Sequence, residues 1–342
     1  MKKNSIYIYF LSHFLFLGFG FAKMTNLSSN DTYIATFLGT LLGIGILYII
    51  CALSKKITCP FNQYFKENNF FNIIFKTVFL IFVIFNIFLL FIILSNFLYS
   101  YFLPFTPSFA SCLPFVLLAA YLAFKKDDNT KYVAFILFIL GLSIIAIKTL
   151  LLTNEFNINN LFPVLINPPS KIFKSALIYA FLSTTPILII IDKNLSFKKS
   201  LKYYLIASLT NIIVILTITL ILGEISNMYS YPEYAILRKI KFFKFIENIE
   251  NFICINWFFD LFISLTLLIS KVKDLTCPSK KYYSLILVLF ILFIVHKYFS
   301  NNFYNTLIIY KIFPYIYLAF LILILLLLTI KIIKSKTWLF CH

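Results

Sequence analysis

Apolar residues run along this chain in ten long stretches separated by short polar segments, with neither helical nor strand alternation inside them. A hydrocarbon core about 30 Å thick is crossed by roughly 20 helical residues. The stretches predict spans at Ile6–Phe21, Tyr33–Leu53, Phe70–Leu98, Phe105–Phe124, Tyr132–Thr153, Phe173–Ile191, Tyr203–Leu222, Phe245–Ile269, Tyr283–Val295 with a few flanking residues, and Thr306–Ile330. Lipid offers no partner to backbone N–H and C=O groups, so spans are helices or closed barrels. Barrel strands alternate apolar and polar residues, and these runs do not. The pattern therefore predicts an all-α polytopic membrane protein with about ten transmembrane helices, in a single integral membrane domain over 1–342.

Composition agrees: 61% of residues are hydrophobic and 12% charged. The formal charge of +18 would point to nucleic acid in a soluble protein. Here the lysines cluster in short loops, where they set orientation, and no nucleic-acid partner is expected. Placing both termini in the cytoplasm puts most basic residues inside, Lys2, Lys3, Lys55, Lys56, Lys125, Lys126, Lys198 and Lys199 among them, with about half as many outside as inside. Lys2 and Lys3 resemble the start of a signal peptide, but no small-residue cleavage site follows. The first stretch thus reads as a permanent helix. The six cysteines and three histidines show no ligand spacing, so neither metal nor cofactor is expected. Phe, Ile, Asn, Lys and Tyr all have AT-rich codons. The 43 Phe and 22 Tyr therefore need no aromatic binding surface to explain them.

Function is sought in polar groups at membrane depth and in interrupted helices. Span one carries Gly18 and Gly20 within Leu17-Gly18-Phe19-Gly20-Phe21. Each weakens a helix by about 1 kcal/mol relative to alanine. Either close helix packing or the approach of a ligand to the backbone accounts for them. Span six carries Ser183, Thr184 and Thr185 before Pro186, where proline interrupts the helix. A kink and a ligand site both fit. Asp260 in span eight is an ionisable residue at depth and a candidate for binding a ligand or ion. Its alternatives are protonation, a lysine partner, or packing alone.

The outer segment between spans seven and eight reads Ser230-Tyr231-Pro232-Glu233-Tyr234-Ala235-Ile236-Leu237-Arg238, then Phe245-Ile246-Glu247-Asn248-Ile249-Glu250. Arg238 is the chain's one arginine. A guanidinium binds a carboxylate through two parallel bonds. Glu247 and Glu250, three apart on one helix face, are its candidate partners, and a solvated charged loop is the alternative reading.

Three stretches carry a resemblance to the spore germination permeases, the B subunits of nutrient germinant receptors, within the amino acid–polyamine–cation transporter superfamily. They are Asn30-Asp31-Thr32-Tyr33 leading into Phe37-Leu38-Gly39-Thr40-Leu41-Leu42-Gly43, Asn160-Leu161-Phe162-Pro163-Val164-Leu165, and the Tyr231–Glu250 run with Trp257 beyond it. Their order and spacing against ten spans agree with that family. The chain departs from its pattern at Lys244, at Asn248, and in span six, where many members carry a glutamate that is absent from Ser183-Thr184-Thr185-Pro186-Ile187.

The resemblance implies two inverted five-helix repeats, with approximate halves 1–153 and 171–334. It implies a non-enzymatic protein of the spore inner membrane that senses a small nutrient such as an amino acid. Its implied partners are a receptor A subunit, itself a membrane protein, a lipoprotein C subunit, and the surrounding lipid. The residues themselves give the candidate ligand site, backbone exposed at Gly18 and Gly20 faced by Ser183, Thr184 and Thr185, together with Asp260, while Tyr231, Pro232, Arg238, Glu247 and Glu250 are the motif residues. The alternative is an amino acid or cation transporter of the same fold. A membrane enzyme would need a cluster of His, Arg or carboxylates at one membrane face, and the sequence has none.

Overall fold

The computed structural model describes residues 4–16, 20–57, 70–191, 195–229, 231–239, 249–276, 281–300 and 303–339. Among them there are helices and connecting segments but no strand. In chain order the α-helices are α1 (Tyr7–His13), α2 (Phe21–Ser28), α3 (Thr32–Lys56), α4 (Phe70–Tyr101), α5 (Ser108–Ala123), α6 (Asp127–Leu151), α7 (Pro169–Thr184), α8 (Phe197–Leu222), α9 (Pro232–Leu237), α10 (Ile249–Leu275), α11 (Lys281–Tyr298) and α12 (Phe303–Leu339). Eight helical runs among the described residues are long and apolar enough to cross a membrane, and α5 is a shorter apolar helix. The remaining predicted span, Ile6–Phe21, contains α1 and ends where α2 begins. Each of the ten apolar stretches therefore has a helical counterpart, and the chain is an integral multi-pass membrane protein.

Helix ends follow from the local sequence. Asp127 and Asp128 open α6, while Lys55 and Lys56 close α3. Each charge sits at the end whose backbone dipole favours it. Outward faces stay apolar: Phe37, Leu41, Leu118, Ile139, Phe290 and Leu326 are all exposed, as a lipid-facing surface requires. Inward faces bury Phe75, Phe79, Phe82, Tyr179, Tyr204 and Tyr317.

Small residues set how closely helices approach. In α3 the faces of Gly39 and Gly43 lie against α7, the most extensive pairing in the bundle. A Cβ on Gly39 would stand 2.5 Å from the Ala176 carbonyl oxygen and 3.0 Å from Tyr179. At Gly43 it would overlap the Tyr204 hydroxyl and lie 3.2 Å from Thr184 Cγ2. This is the small-xxx-small packing expected between helices in lipid. Cys51 and Cys112 are buried free thiols that pack as small apolar groups.

Gly39→Ala forces either a backbone shift of α7 or an overpacked contact, at about 1–3 kcal/mol. Gly45→Ala on the same helix meets nothing within 4 Å and gains helix propensity. Thermal unfolding of purified protein in detergent is expected to show a lower midpoint for the first variant and an unchanged or raised one for the second.

Candidate functional site at the interrupted helices

Both predicted interruptions are present. In the first span α1 ends at His13, residues 17–19 lie outside the described residues, and α2 begins at Phe21. The Gly20 N–H donates to the Leu15 carbonyl at 3.1 Å, a wide turn reaching five residues back. Gly20 is buried, and Gly18 lies outside the described residues. In the sixth span α7 ends at Thr184, and Thr185–Ile190 continues as a tighter 3₁₀ turn with Pro186 near its start. Proline has no N–H to extend the α-helical ladder, so the change of winding falls where the sequence places it.

The two interruptions touch. A Cβ on Gly20 would stand 2.8 Å from Leu182 Cδ1. Leu182 thus occupies the space over Gly20, and the Ser183 and Thr184 hydroxyls turn to other partners. Ser183 Oγ donates to the Tyr179 carbonyl at 2.8 Å and lies 3.1 Å from the Tyr204 hydroxyl of α8. Thr184 Oγ1 donates to the Ala180 carbonyl at 2.6 Å. Thr185 Oγ1 is buried with no partner among the described residues. Asn211 Nδ2 of α8 donates to the Tyr179 hydroxyl at 3.2 Å. Tyr179, Tyr204 and Asn211 therefore belong to the site although sequence reasoning passed over them. The available signal was a phenol or amide in mid-span, where apolar residues are the rule.

Asp260 meets histidine rather than lysine. His13 Nδ1 lies 2.8 Å from Asp260 Oδ2, with both side chains at most 2% exposed. With the carboxylate ionised, the imidazole supplies the proton of this bond. Tyr9 stacks on the His13 ring, centroids 5.6 Å apart. The pair ties α1, in the interrupted first span, to α10. His13 Nε2, Tyr9 Oη, Ser12 Oγ and Ser264 Oγ are buried without hydrogen-bond partners among the described residues. In native proteins such groups are ordinarily met by water or a ligand.

A family model described as "Spore germination protein" matches residues 4–274. The chain belongs to this family. A search of curated proteins finds no match. Membership gives this spore germination protein a role in germination or transport and, with its apolar helices, a permease-like character.

The three sequence stretches of the resemblance acquire physical roles in this spore germination protein. The first two meet each other. Asp31, buried just before α3, accepts from the Leu165 N–H at 2.7 Å and from the Asn167 N–H and Nδ2, each at 3.1 Å. The Asn167 amide also donates to the Ser28 carbonyl at 2.9 Å. One carboxylate thereby holds the segment entering α7 against the junction of α2 and α3, with Leu165 at a positive φ of 60°. The third stretch forms an aromatic cluster. The Phe97 ring of α4 lies 5.1 Å from Tyr231, 5.6 Å from Tyr234 and 4.5 Å from Trp257. Pro232 starts α9, where its missing N–H costs nothing. The Tyr231 hydroxyl donates to the Ile93 carbonyl at 3.2 Å. Burial, then the neighbouring Tyr310 and Glu233, push this phenol well above its ordinary pKa, so it stays a neutral donor. Arg238 is exposed, with its guanidinium carbon 6.0 Å from the Tyr234 ring centroid. Glu247 and the Glu250 side chain lie outside the described residues.

Two substitutions follow. Asp31→Asn puts an amide where three donors converge and is expected to cost about 1–3 kcal/mol, read as a lower unfolding midpoint and faster proteolysis in 153–168. His13→Phe strands a buried carboxylate, a change worth roughly 3–5 kcal/mol. Adding Asp260→Leu is expected to restore part of that loss in the same assay, whereas additive losses would mean the two groups are not coupled.

Proposed function

We propose that this protein is the membrane-embedded sensing subunit of a nutrient germinant receptor, the B subunit, in the spore inner membrane. The observation that carries the reading is the contact between the two interrupted spans, Gly20 against Leu182, beside buried and partly unpartnered polar groups. In transporter-like bundles of inverted repeats, half-helix ends and unwound backbone at mid-membrane bind small solutes. Interruptions in the first and sixth spans suit two five-helix halves, 1–153 and 171–334. Both termini are proposed to face the cytoplasm, on the lysine distribution.

The proposed ligand is a small nutrient such as an amino acid. Its charged ends are held by the backbone around Gly18 and Gly20 and by Ser183, Thr184 and Thr185, with Asp260 and His13 behind them. Binding displaces Leu182 from Gly20 and frees hydroxyls now turned to helix carbonyls. A ligand shifts a conformational equilibrium only by binding one state more tightly, and that shift is what the A subunit and the C lipoprotein are proposed to read. Tyr231, Pro232, Arg238, Glu247 and Glu250 are proposed to fix the outer segment in the assembly. The second reading is a transporter of the same fold, which the permease-like family favours.

Thr184→Val tests the site cleanly. The Thr184 hydroxyl bonds a carbonyl of its own helix, so the near-isosteric change leaves packing intact. Spores carrying it are expected to need at least ten-fold more nutrient to germinate, at normal protein level. Gly20→Val, which collides with Leu182, is expected to abolish the response. A wild-type dose response in both variants places the site elsewhere. Concentrative uptake by the purified chain alone in proteoliposomes would favour the transporter.

A further inference from the structure

A second concave site lies at the end of the bundle that carries the 223–239 segment. It is a cavity of about 320 Å³ whose lining comes from three separate parts of the chain: α2, the segment after α8, and the start of α12. A volume of this order suits a small organic molecule or an inorganic ion with its water. Its wall holds two lysines, Lys23 of α2 and Lys311 of α12. Lys23 is half-buried and within electrostatic reach of Lys311. Among the described residues neither lysine has a carboxylate within ion-pair distance.

Two ammonium groups facing one cavity repel each other, and partial burial strengthens the repulsion by lowering the local dielectric. Lys311 is exposed and free to swing, whereas half-buried Lys23 has less room to turn away. The arrangement is stabilised when an anion enters between them. The side-chain amide of Asn26, also in the lining, offers such a guest a donor.

We propose that Lys23 and Lys311 form a binding site for a small oxyanion, a carboxylate or a phosphate, separate from the interrupted-helix site. The inference rests on the cavity and its charges alone, and it holds whether the protein senses or transports. Because α2 begins one residue after Gly20, an anion held by Lys23 would also bias the half-helix that packs on Leu182.

The test uses full-length purified protein in neutral detergent, with inorganic phosphate and acetate as probes at constant ionic strength. The unfolding midpoint is expected to rise saturably with at least one probe. Lys23→Gln and Lys311→Gln are each expected to weaken the half-saturating concentration ten-fold or more. Both variants should unfold at or above the wild-type midpoint without the anion, since each removes a repulsion. Lys239→Gln, exposed and outside the cavity lining, should respond like wild type. A parallel arm compares nanodiscs of neutral lipid with nanodiscs containing phosphatidylglycerol. Stabilisation that follows the anionic lipid and is lost in both cavity variants identifies the oxyanion as a headgroup phosphate. No saturable response in either arm overturns the proposal. So does a response that survives both cavity substitutions, or one that Lys239→Gln weakens equally.

Discussion

Hydrocarbon offers no hydrogen-bond partner, and every irregular feature of this protein answers to that constraint. A helix satisfies its own backbone, so most of the chain is helix. Where the helix is interrupted, protein groups must cover what is freed. The end of α7 shows how: Ser183 and Thr184 turn their hydroxyls onto carbonyls one turn back and lie buried beside α3 and α8, while the Thr185–Ile190 turn that follows is buried against α1, α10 and α12. Gly39 and Gly43 make that burial possible, because a side chain at either position would hold α7 away. Near the bundle end the same constraint falls on Asp31, whose carboxylate receives the backbone N–H groups of Leu165 and Asn167.

Interrupted helices cost stability, and charges at depth cost more. The His13–Asp260 pair is therefore informative. Neither group suits lipid alone, and each makes the other tolerable at 2.8 Å. The pair joins α1, which has few turns of its own, to the long α10. Helix α2, which begins where the first span ends, is held by different contacts, through Ser28 to Ser175 and through the junction at Asp31. Both α1 and α2 also pack on α7, and the proposed sensing role requires one of these contacts to change.

Much of this was legible in the sequence. Ten apolar stretches of bilayer length gave the spans, since length and uniform hydrophobicity leave little choice of structure. The interruption in span six was legible because proline removes a donor wherever it falls. Asp260 stood out because an acid in an apolar run is costly. Its partner did not stand out: His13 lies 247 residues away, and no local pattern links them. The expectation of three hydroxyls facing Gly20 met a different packing. Short hydroxyl side chains bond their own helix first, and Leu182 takes the space. Tyr179, Tyr204 and Asn211 were hidden by the abundance of tyrosine and asparagine in this chain. The Tyr231 motif was recognisable by resemblance, but its physical role, packing around Phe97, depends on tertiary contacts.

The central claim is that the contact between Gly20 and Leu182 is where nutrient acts. The most direct measurement is the thiol-labelling rate of Leu182→Cys, in a chain whose native cysteines are replaced, in membranes of spores that still germinate. The account predicts slow labelling at rest and a rate at least several-fold different when the triggering nutrient is added, with a cysteine at Asn159, in the segment between α6 and α7, unaffected. A Leu182→Cys labelling rate that nutrient leaves unchanged would contradict it.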